Sequence, residues 1–267
     1  MKTAPTAPAH QTDLDWQLWG ESDPYYGVIT DGRFRLSNLT AEDLGQFFDS
    51  GRTHLAHVLR ICHRHVQQRF APRRALDFGC GVGRVLLPMA EQIAEVVGID
   101  VAPGMLEQAR RHAKERHLKN VRLVLSDDDL SHLDGDFDLI HSVIVFQHIE
   151  PARVRRFTAL LLDRLRPGGI AALHYTYAKA YHPDSFGQPP PPPPARRSRW
   201  RWRFAAGPAP AATDLPQADP AMQMYAHPIN DLLFLAHQAG VRRSYVEFTD
   251  HGGELGVVLY FQRPSAA

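Results

Sequence analysis

Cysteine is scarce in this sequence, whose 267 residues contain only Cys62 and Cys80. So few cysteines exclude a disulfide-based scaffold and favour a reducing, cytoplasmic setting. Long apolar runs are lacking too, since no stretch approaches the ~18 residues that a membrane-spanning helix requires. The first residues, MKTAPTAPAHQT, include one lysine but no apolar stretch behind it, so no secretory signal is predicted.

Charge of one sign is also lacking, because 30 Lys and Arg residues offset 29 Asp and Glu residues. Binding to nucleic acid usually requires a basic face that displaces counterions, and this balance argues against such a partner. The 44% hydrophobic and 22% charged residues are ordinary for a soluble globular protein. We therefore expect a small-molecule partner, no nucleic acid and no stable membrane association. The sequence leaves the oligomeric state open.

Short apolar segments alternate with amphipathic segments from Arg74 onward. The apolar segments predict strands at Ala75–Phe78, Glu95–Ile99, Val121–Leu125, Phe137–Ser142, Ile170–Tyr177, Tyr245–Thr249 and Gly256–Gln262. The amphipathic segments predict helices at Gly83–Gln92, Pro103–Arg116, Pro151–Leu165 and Pro228–Ala239. Strands that alternate with helices are joined by right-handed crossovers, so this order predicts an α/β fold with a doubly wound, mostly parallel sheet.

The other segments suggest how the chain is organised. We expect a disordered tail over residues 1–12, an N-terminal helical cap over 13–70 and a main domain over 71–267. The cap should contain short helical turns between Asp13 and Phe34, and Thr40 with Asp43 should begin a helix. An insertion at about 179–222 carries six prolines at 189–194 and an Arg/Trp-rich run at 196–204. We expect it to be a mobile flap, and its Arg/Trp run leaves open a membrane surface, an acidic partner or an aromatic acceptor as its target.

Acidic residues accompany three successive predicted strands. Asp77 lies in the first strand, which runs into the glycine loop Gly79-Cys80-Gly81-Val82-Gly83. Asp100 ends the second strand, 23 residues after Asp77, and Ser126-Asp127-Asp128-Asp129 follows the third. Glycines allow a backbone to approach a ligand closely, and ligands collect at the carboxyl ends of such strands. A carboxylate after the second strand can accept hydrogen bonds from both hydroxyls of a ribose.

This ordered series resembles the class I S-adenosylmethionine-dependent methyltransferase family over roughly residues 70–263. The resemblance implies a Rossmann-like, seven-stranded sheet with a reversed final strand pair, and S-adenosylmethionine as cofactor. It implies that Asp100 holds the ribose, that Asp127 and Asp128 meet the adenine edge, and that Arg84 lies near the methionine carboxylate. The residues that it assigns to the cofactor are Asp77, Gly79, Cys80, Gly81, Arg84, Asp100, Val101, Met105, Asp127, Asp128, Ser142 and Val143.

Residues for the methyl acceptor are predicted less directly. His148 follows the fourth strand, where the family often places a residue that faces the acceptor, and imidazole suits proton transfer near neutral pH. Tyr25 and Tyr26 are candidates for binding the substrate from the cap. For all three side chains, ordinary structural packing is the open alternative.

Other chemistries are weaker fits to the sequence. His54, His57, His63 and His65 have no acid or cysteine that completes a metal site, so we expect a solvated face and no metal. The G-x-G-x-G spacing of the loop differs from the G-x-G-x-x-G of nicotinamide enzymes. We therefore expect O- or N-methylation of a small molecule, such as a specialised metabolite or short peptide. A non-catalytic cofactor-binding or regulatory module is the alternative, and the acceptor atom cannot be read from the sequence.

Overall fold

The computed structural model describes residues 10–179 and 219–265 of the chain. The described residues form one seven-stranded sheet, in which the strands lie in the order β3-β2-β1-β4-β5-β7-β6. The strands are β1 (Arg74–Phe78), β2 (Glu95–Asp100), β3 (Val121–Leu125), β4 (Phe137–Ser142), β5 (Leu165–Lys179), β6 (Arg243–His251) and β7 (Glu254–Gln262). Strands β1 to β5 pair in parallel, whereas β7 runs antiparallel to both β5 and β6. The predicted Rossmann-like, mostly parallel fold with a reversed final pair is confirmed.

Helices cover both faces of this sheet. They are α1 (Gln11–Ser22), α2 (Pro24–Val28), α3 (Ala41–Ile61), α4 (Leu86–Ala90), α5 (Pro103–Glu115), α6 (Pro151–Asp163) and α7 (Ile229–Gln238). Because alternate strand residues point to opposite faces, Leu76 of β1 packs in the core with α6 and α7, while Ala75 packs with α3 and α4. Both strand faces are therefore buried, which explains why the parallel strands are nearly continuous apolar runs.

The N-terminal region forms a third apolar cluster against α5 and the glycine loop. Trp19, Tyr25, Phe34 and Phe47 are buried there beside Met105. Two expectations for this region need correction. Helix α1 already begins at Gln11 and Thr12 is buried, so residues 11 and 12 are not part of a disordered tail. The segment after Asp13 also continues this regular helix, which has 12 residues and ends at Ser22, rather than forming short turns alone.

Several predicted boundaries differ from the structure by a few residues. Strand β5 extends from Leu165 to Lys179, since its pairing with β7 continues to Lys179. Helix α4 covers only Leu86–Ala90, less than the predicted Gly83–Gln92, and it contains Pro88, whose ring disfavours the interior of a helix. Of the predicted insertion, residues 180–218 lie outside the described residues, and so does the Arg/Trp-rich run at 196–204.

Helix α3 is continuous from Ala41 to Ile61 and fixes the position of the glycine loop. Its start is the predicted one, because the Thr40 side chain accepts from the Asp43 backbone N–H and the Asp43 side chain accepts from the Thr40 backbone N–H. In the middle of the helix, Gly51 lies so close to the loop that a Cβ there would overlap the backbone carbonyl of Arg84. Gly51 thus permits the contact between α3 and the segment after the glycine loop.

This contact generates a prediction with a control in the same helix. The Gly51→Ala change should destabilise the protein by about 1–3 kcal/mol, the usual cost of overpacking a close contact. The Gly45→Ala change should stabilise it by up to about 1 kcal/mol, because alanine favours the helix and a Cβ at Gly45 meets no atom within 4 Å. Urea unfolding of both variants checks this. Equal effects of the two substitutions would contradict the proposed contact.

Candidate cofactor and acceptor site

A cavity lies at the carboxyl ends of β1, β2 and β4, beneath α1. Its wall includes residues from the glycine loop, the ends of these strands, and helices α1, α5 and α6. The predicted cofactor residues that line it are Asp77, Gly79, Cys80, Gly81, Arg84, Asp100, Val101, Met105 and Val143, and the predicted acceptor residue His148 lines it as well. The structure therefore brings together most of the predicted site at the edge where ligands of open α/β sheets bind.

The glycine loop after β1 comes close to its neighbours because it lacks side chains at two positions. Gly79 has φ +71°, and a Cβ there would overlap the side chain of Val145. Gly81 has φ +53°, and a Cβ would lie 2.9 Å from Cγ2 of Val28. Both residues line the cavity. The loop thus offers bare backbone to a ligand, which a side chain at either glycine would prevent.

Asp100 connects the glycine loop to the turn after β2. Its Oδ2 accepts from the backbone N–H of Gly81 at 2.8 Å, and its Oδ1 accepts from that of Ala102 at 2.9 Å. Burial raises the pKa of Asp100 to about 6, although these backbone donors oppose the shift. Each carboxylate oxygen can accept more than one hydrogen bond, so the group can serve the loop and a ligand hydroxyl together.

Asp77 lines the cavity just before the glycine loop. It is bonded to one histidine, which is bonded in turn to a second. Oδ1 of Asp77 lies 2.7 Å from Nδ1 of His141, and Nε2 of His141 lies 2.9 Å from Nε2 of His54. Asp77 and His141 are direct partners in the β1–β4 pairing, and both are buried. Sequence reasoning missed His141 because it lies in an apolar strand. The expectation that His54 lies on a solvated face was wrong, since its imidazole faces His141.

The turn after β4 forms the floor of the cavity. Ile144, which lines the cavity, has φ +56°, a conformation that β-branched residues rarely adopt. Such strain persists only where the surrounding structure holds it, and it often occurs at binding sites. The turn carries Val143, Ile144 and Val145 past the glycine loop and toward His148.

Helix α1 closes the cavity from above. Thr12, Asp13 and Trp16 line it, and the Trp16 ring contacts His148 edge-on with centroids 4.9 Å apart. Arg153 of α6 holds the helix by donating to both carboxylate oxygens of Asp13, at 2.6 and 2.7 Å. Nε1 of Trp16 is buried without a hydrogen-bond partner among the described residues. This N–H is therefore a donor that a ligand can satisfy.

His148 is oriented by three neighbours. Its Nδ1–H donates to the backbone carbonyl of Gln223 at 2.7 Å, so Nε2 carries the lone pair of the neutral ring. The Gln147 amide lies 3.2 Å from that Nε2, and Thr176 donates to Oε1 of Gln147 at 3.1 Å. Burial lowers the pKa of His148 to about 4, so the ring is neutral near pH 7. The side chain can accept a proton but is a weak base.

Five predicted site residues do not line the cavity. Asp127 accepts from the backbone N–H groups of Asp129 and Ser131 in its own loop, while Asp128 accepts from Arg153 at 2.7 Å. Ser142 is buried, and its hydroxyl has no partner in the described part of the chain. The other two predicted residues, Tyr25 and Tyr26, lie in the cap, where the Tyr25 hydroxyl is 2.6 Å from Nε2 of His112 and Tyr26 packs under the guanidinium of Arg35.

The remaining histidines of α3 and its C-terminal turn do not share one environment. His63 and His65 are exposed, whereas His57 is bonded to Glu247 at 2.6 Å and is only partly exposed. Within residues 10–179 and 219–265, no group of three or more His, Cys, Asp or Glu side chains is arranged to hold a metal ion. In the same residues, no helix is long and apolar enough to cross a membrane.

Known sequences are similar to this chain in the region that contains the site. A family model described as a methyltransferase domain matches residues 75–169, which include the glycine loop, Asp100 and His148. An aklanonic acid methyltransferase, DauC, of Streptomyces sp. (strain C5) is 45% identical over 71 residues, which are 25% of this chain and 32% of that protein. A ubiquinone biosynthesis O-methyltransferase of Ruegeria pomeroyi is 37% identical over 105 residues, or 39% and 41% of the two chains. The chain thus spans less than half of the length of these two relatives.

Solved structures share the fold at low sequence identity. Magnesium protoporphyrin IX methyltransferase (ChlM) from Synechocystis PCC 6803, with bound SAH, has a TM-score of 0.62 and 14% identity, covering 95% of this chain and 100% of that one. The N-methyltransferase NodS from Bradyrhizobium japonicum WM9, in complex with S-adenosylhomocysteine, has a TM-score of 0.58 and 13% identity, covering 96% and 100%. Together with the sheet order, these structures show that the chain has the fold of solved methyltransferases, and the family model shows a methyltransferase domain over residues 75–169.

Proposed function

We propose that this protein transfers a methyl group from S-adenosylmethionine to a small-molecule acceptor. The observation that carries the proposal is the cavity in which Asp77 and Asp100 flank a loop that has no side chain at Gly79 or Gly81. The cavity wall contains two guanidinium groups, and that of Arg153 is already paired with Asp13 and Asp128, so Asp77 and Asp100 favour a ligand that brings positive charge. S-adenosylmethionine has a sulfonium and an ammonium group, and its ribose suits the hydroxyl-accepting Asp100.

The proposed cofactor contacts are distributed along the length of the cavity. We expect Asp77, Arg84 and the loop backbone to bind the methionine part, Asp100 to accept from the ribose, and Val101 and Met105 to pack on the adenine. The Trp16 N–H is a further donor toward the ligand. Asp127, Asp128 and Ser142 have partners or positions outside the cavity wall, so their direct contact would need the loops to rearrange. Tyr25 and Tyr26 would likewise need the cap to move before they could contact a substrate.

The chain's part in the reaction is alignment, exclusion of water and proton transfer. S-adenosylmethionine supplies a methyl group that is electrophilic because its sulfur is positively charged. The strained turn at Ile144 and the wall of α1 hold the donor and acceptor in one enclosed space, which lowers the entropic part of the barrier. His148, whose Nδ1–H is held by the Gln223 carbonyl, has its basic lone pair at Nε2, which would take a proton from a hydroxyl or amine of the acceptor in place of its hydrogen bond from the Gln147 amide.

The acceptor is proposed to be a small, partly apolar molecule. Trp16, Ile149 and Phe157 form an apolar wall near His148, and the names of two relatives refer to aklanonic acid and to ubiquinone biosynthesis. Both cysteines are free thiols, consistent with action in the cytoplasm. The near-zero net charge argues against nucleic acid as a partner. Release of S-adenosylhomocysteine with a panel of phenols, quinols and amines tests the proposal, because a non-catalytic module would bind the cofactor without turnover.

The first prediction from this function concerns Asp100. The Asp100→Ala change should weaken S-adenosylmethionine binding by about 1–3 kcal/mol, roughly 5- to 150-fold in Kd, because the ribose loses a charged acceptor. Titration calorimetry measures it. Asp49→Ala is the control, since this exposed carboxylate on α3 pairs with Arg52 and its loss should leave the Kd unchanged.

The same experiment can test the acids after β3. Asp127→Ala should weaken binding less than Asp100→Ala does, because the Asp127 carboxylate already accepts from its own loop. An equal loss in the two variants would indicate that Asp127 contacts the adenine directly. Unchanged affinity in Asp100→Ala, or tight NAD binding by the parent protein, would refute the assignment of the ribose site.

A further prediction concerns proton transfer by His148. The His148→Asn change should lower kcat by about 10²–10⁴-fold, the usual range for loss of a general base, while the Kd for S-adenosylmethionine stays the same. The residual activity should rise with pH, because hydroxide replaces part of the base. Full activity in the variant, or joint loss of folding and cofactor binding, would assign His148 a structural role.

The pH profile of the wild-type enzyme gives an independent check. A base acts in its neutral form, and burial lowers the pKa of His148 to about 4. Activity should therefore rise through pH 4 as the proton is lost, and it should be level from about pH 5.5 to 8 if no other group titrates. A clear inflection near the ordinary histidine pKa of about 6.5 would contradict the buried environment of His148.

A further inference from the structure

Three side chains form a hydrogen-bonded chain that leads from the cavity to helix α3. Asp77 is at the cavity, His141 is in the middle and only 1% exposed, and His54 is at the far end and partly exposed. The two heavy-atom distances are 2.7 and 2.9 Å, both normal for hydrogen bonds. Nothing in the proposed transfer step uses either histidine, yet both are directed toward a cavity residue.

The donors in this chain can be assigned from its geometry. A carboxylate accepts, so the His141 nitrogen that faces Asp77 must carry its proton, which makes Nδ1 the donor. A neutral His141 then has a lone pair at Nε2 and must accept from Nε2–H of His54. Burial and the neighbouring His141 and Arg84 lower the pKa of His54 to about 2, so His54 is neutral and has a single N–H to donate.

The assignment makes His54 decisive for the state of His141. The other neutral tautomer of His141, protonated at Nε2, would direct the lone pair of Nδ1 at the Asp77 carboxylate, and two acceptors would then face each other. Without the donor at His54, Nε2 of His141 would be a buried acceptor with no partner, which would favour protonation of the ring or its rotation away from Asp77. The N–H of His54 therefore stabilises His141 as the neutral, oriented ring whose Nδ1–H bonds to Asp77.

We propose that His54 and His141 are positioning residues that orient Asp77 for the cofactor. His141 engages Oδ1, and Oδ2 stays available to accept from the ammonium group of the methionine part. This inference rests on the proposed function, since it assumes that S-adenosylmethionine occupies the cavity. It assigns a role to a helix of the cap, because α3 then contributes to cofactor affinity without touching the cofactor.

The structure also provides the means to separate this role from general stability. His54 is partly exposed, so its substitution removes little buried packing. His57 lies nearly one turn further along the same helix, with a partner, Glu247, in β6 rather than at the cavity. His57→Met is therefore a matched control for His54→Met. His54→Gln retains an amide N–H that can donate to His141, whereas His54→Met has similar length and no donor.

The first experiment observes the chain itself without any ligand. Long-range ¹H–¹⁵N NMR of the histidine rings in the full chain should show His141 as the neutral Nδ1–H tautomer and His54 as the neutral Nε2–H tautomer. In His54→Met, His141 should lose this single state, and in His54→Gln it should retain it. A cationic or Nε2–H His141 in the wild-type protein would overturn the assignment of the chain.

The second experiment measures affinity for S-adenosylhomocysteine, which has the same ammonium and carboxylate groups as S-adenosylmethionine, by titration calorimetry. His54→Met should weaken the Kd by about 10-fold or more, in the range found when an outer residue that orients a binding group is lost. His54→Gln and His57→Met should bind within about twofold of wild type, and thermal unfolding confirms that each variant is folded. Wild-type affinity in a folded His54→Met would refute the positioning role. If the wild-type protein bound neither S-adenosylmethionine nor S-adenosylhomocysteine, the proposed function would fail and this role with it, whatever tautomers the NMR had shown.

Discussion

The site depends on the hydrogen bonds by which the Asp100 carboxylate joins two backbone segments. One segment is the glycine loop, through the N–H of Gly81, and the other is the turn after β2, through the N–H of Ala102. These bonds hold the loop at the carboxyl ends of adjacent parallel strands, where its own glycines allow it to stay close to the sheet. The carboxylate is half-buried, these donors offset its charge, and a ligand hydroxyl would add to the same arrangement.

Close approach of backbones extends this arrangement to the cap. Gly51 lets α3 contact the backbone carbonyl of Arg84, immediately after the loop. The same helix places His54 beside His141 of β4. Helix α3 is distant from the site along the chain, and this contact packs it against the site. The cap therefore contributes to the cavity in two ways. Helix α1 lines the cavity directly, whereas α3 supports a residue that lines the cavity.

The parts of this structure that were predictable from sequence are those that depend on local pattern. The parallel strands, the glycine loop, Asp77 and Asp100 could be located because each signal lies within one strand and the turn that follows. The pairing of Asp77 with His141 could not, because it depends on the register between two strands that are 64 residues apart along the chain. His54 was assigned to a solvated face for a similar reason. Helical spacing predicts which residues share a face of the helix, but it does not predict which strand that face packs against.

Errors at the acceptor side have a different cause. Tyr25 and Tyr26 were attractive candidates because aromatic side chains often enclose ligands, but Tyr25 is held by His112 and buried in the cluster that attaches the cap to α5. Trp16, which does line the cavity, lies in the same aromatic-rich segment but on α1, whereas Tyr25 and Tyr26 lie on α2. Composition identifies an aromatic-rich segment. Which of its aromatic residues line the cavity depends on how the helices of the segment are positioned on the sheet.

The two ends of the cavity differ in chemistry, and this difference bears on how a methyl group could pass between two molecules. Toward β1 and β2 the wall has carboxylates and bare backbone, which suit a charged, hydroxylated ligand. Toward α6 it has Trp16, Phe157 and a neutral His148, which suit an apolar molecule with one ionisable group. The turn at Ile144 lies between these ends, and its strained backbone requires the surrounding packing to keep it in place. A fixed turn at this position would hold the two reactants at a constant separation, which an acceleration by proximity requires.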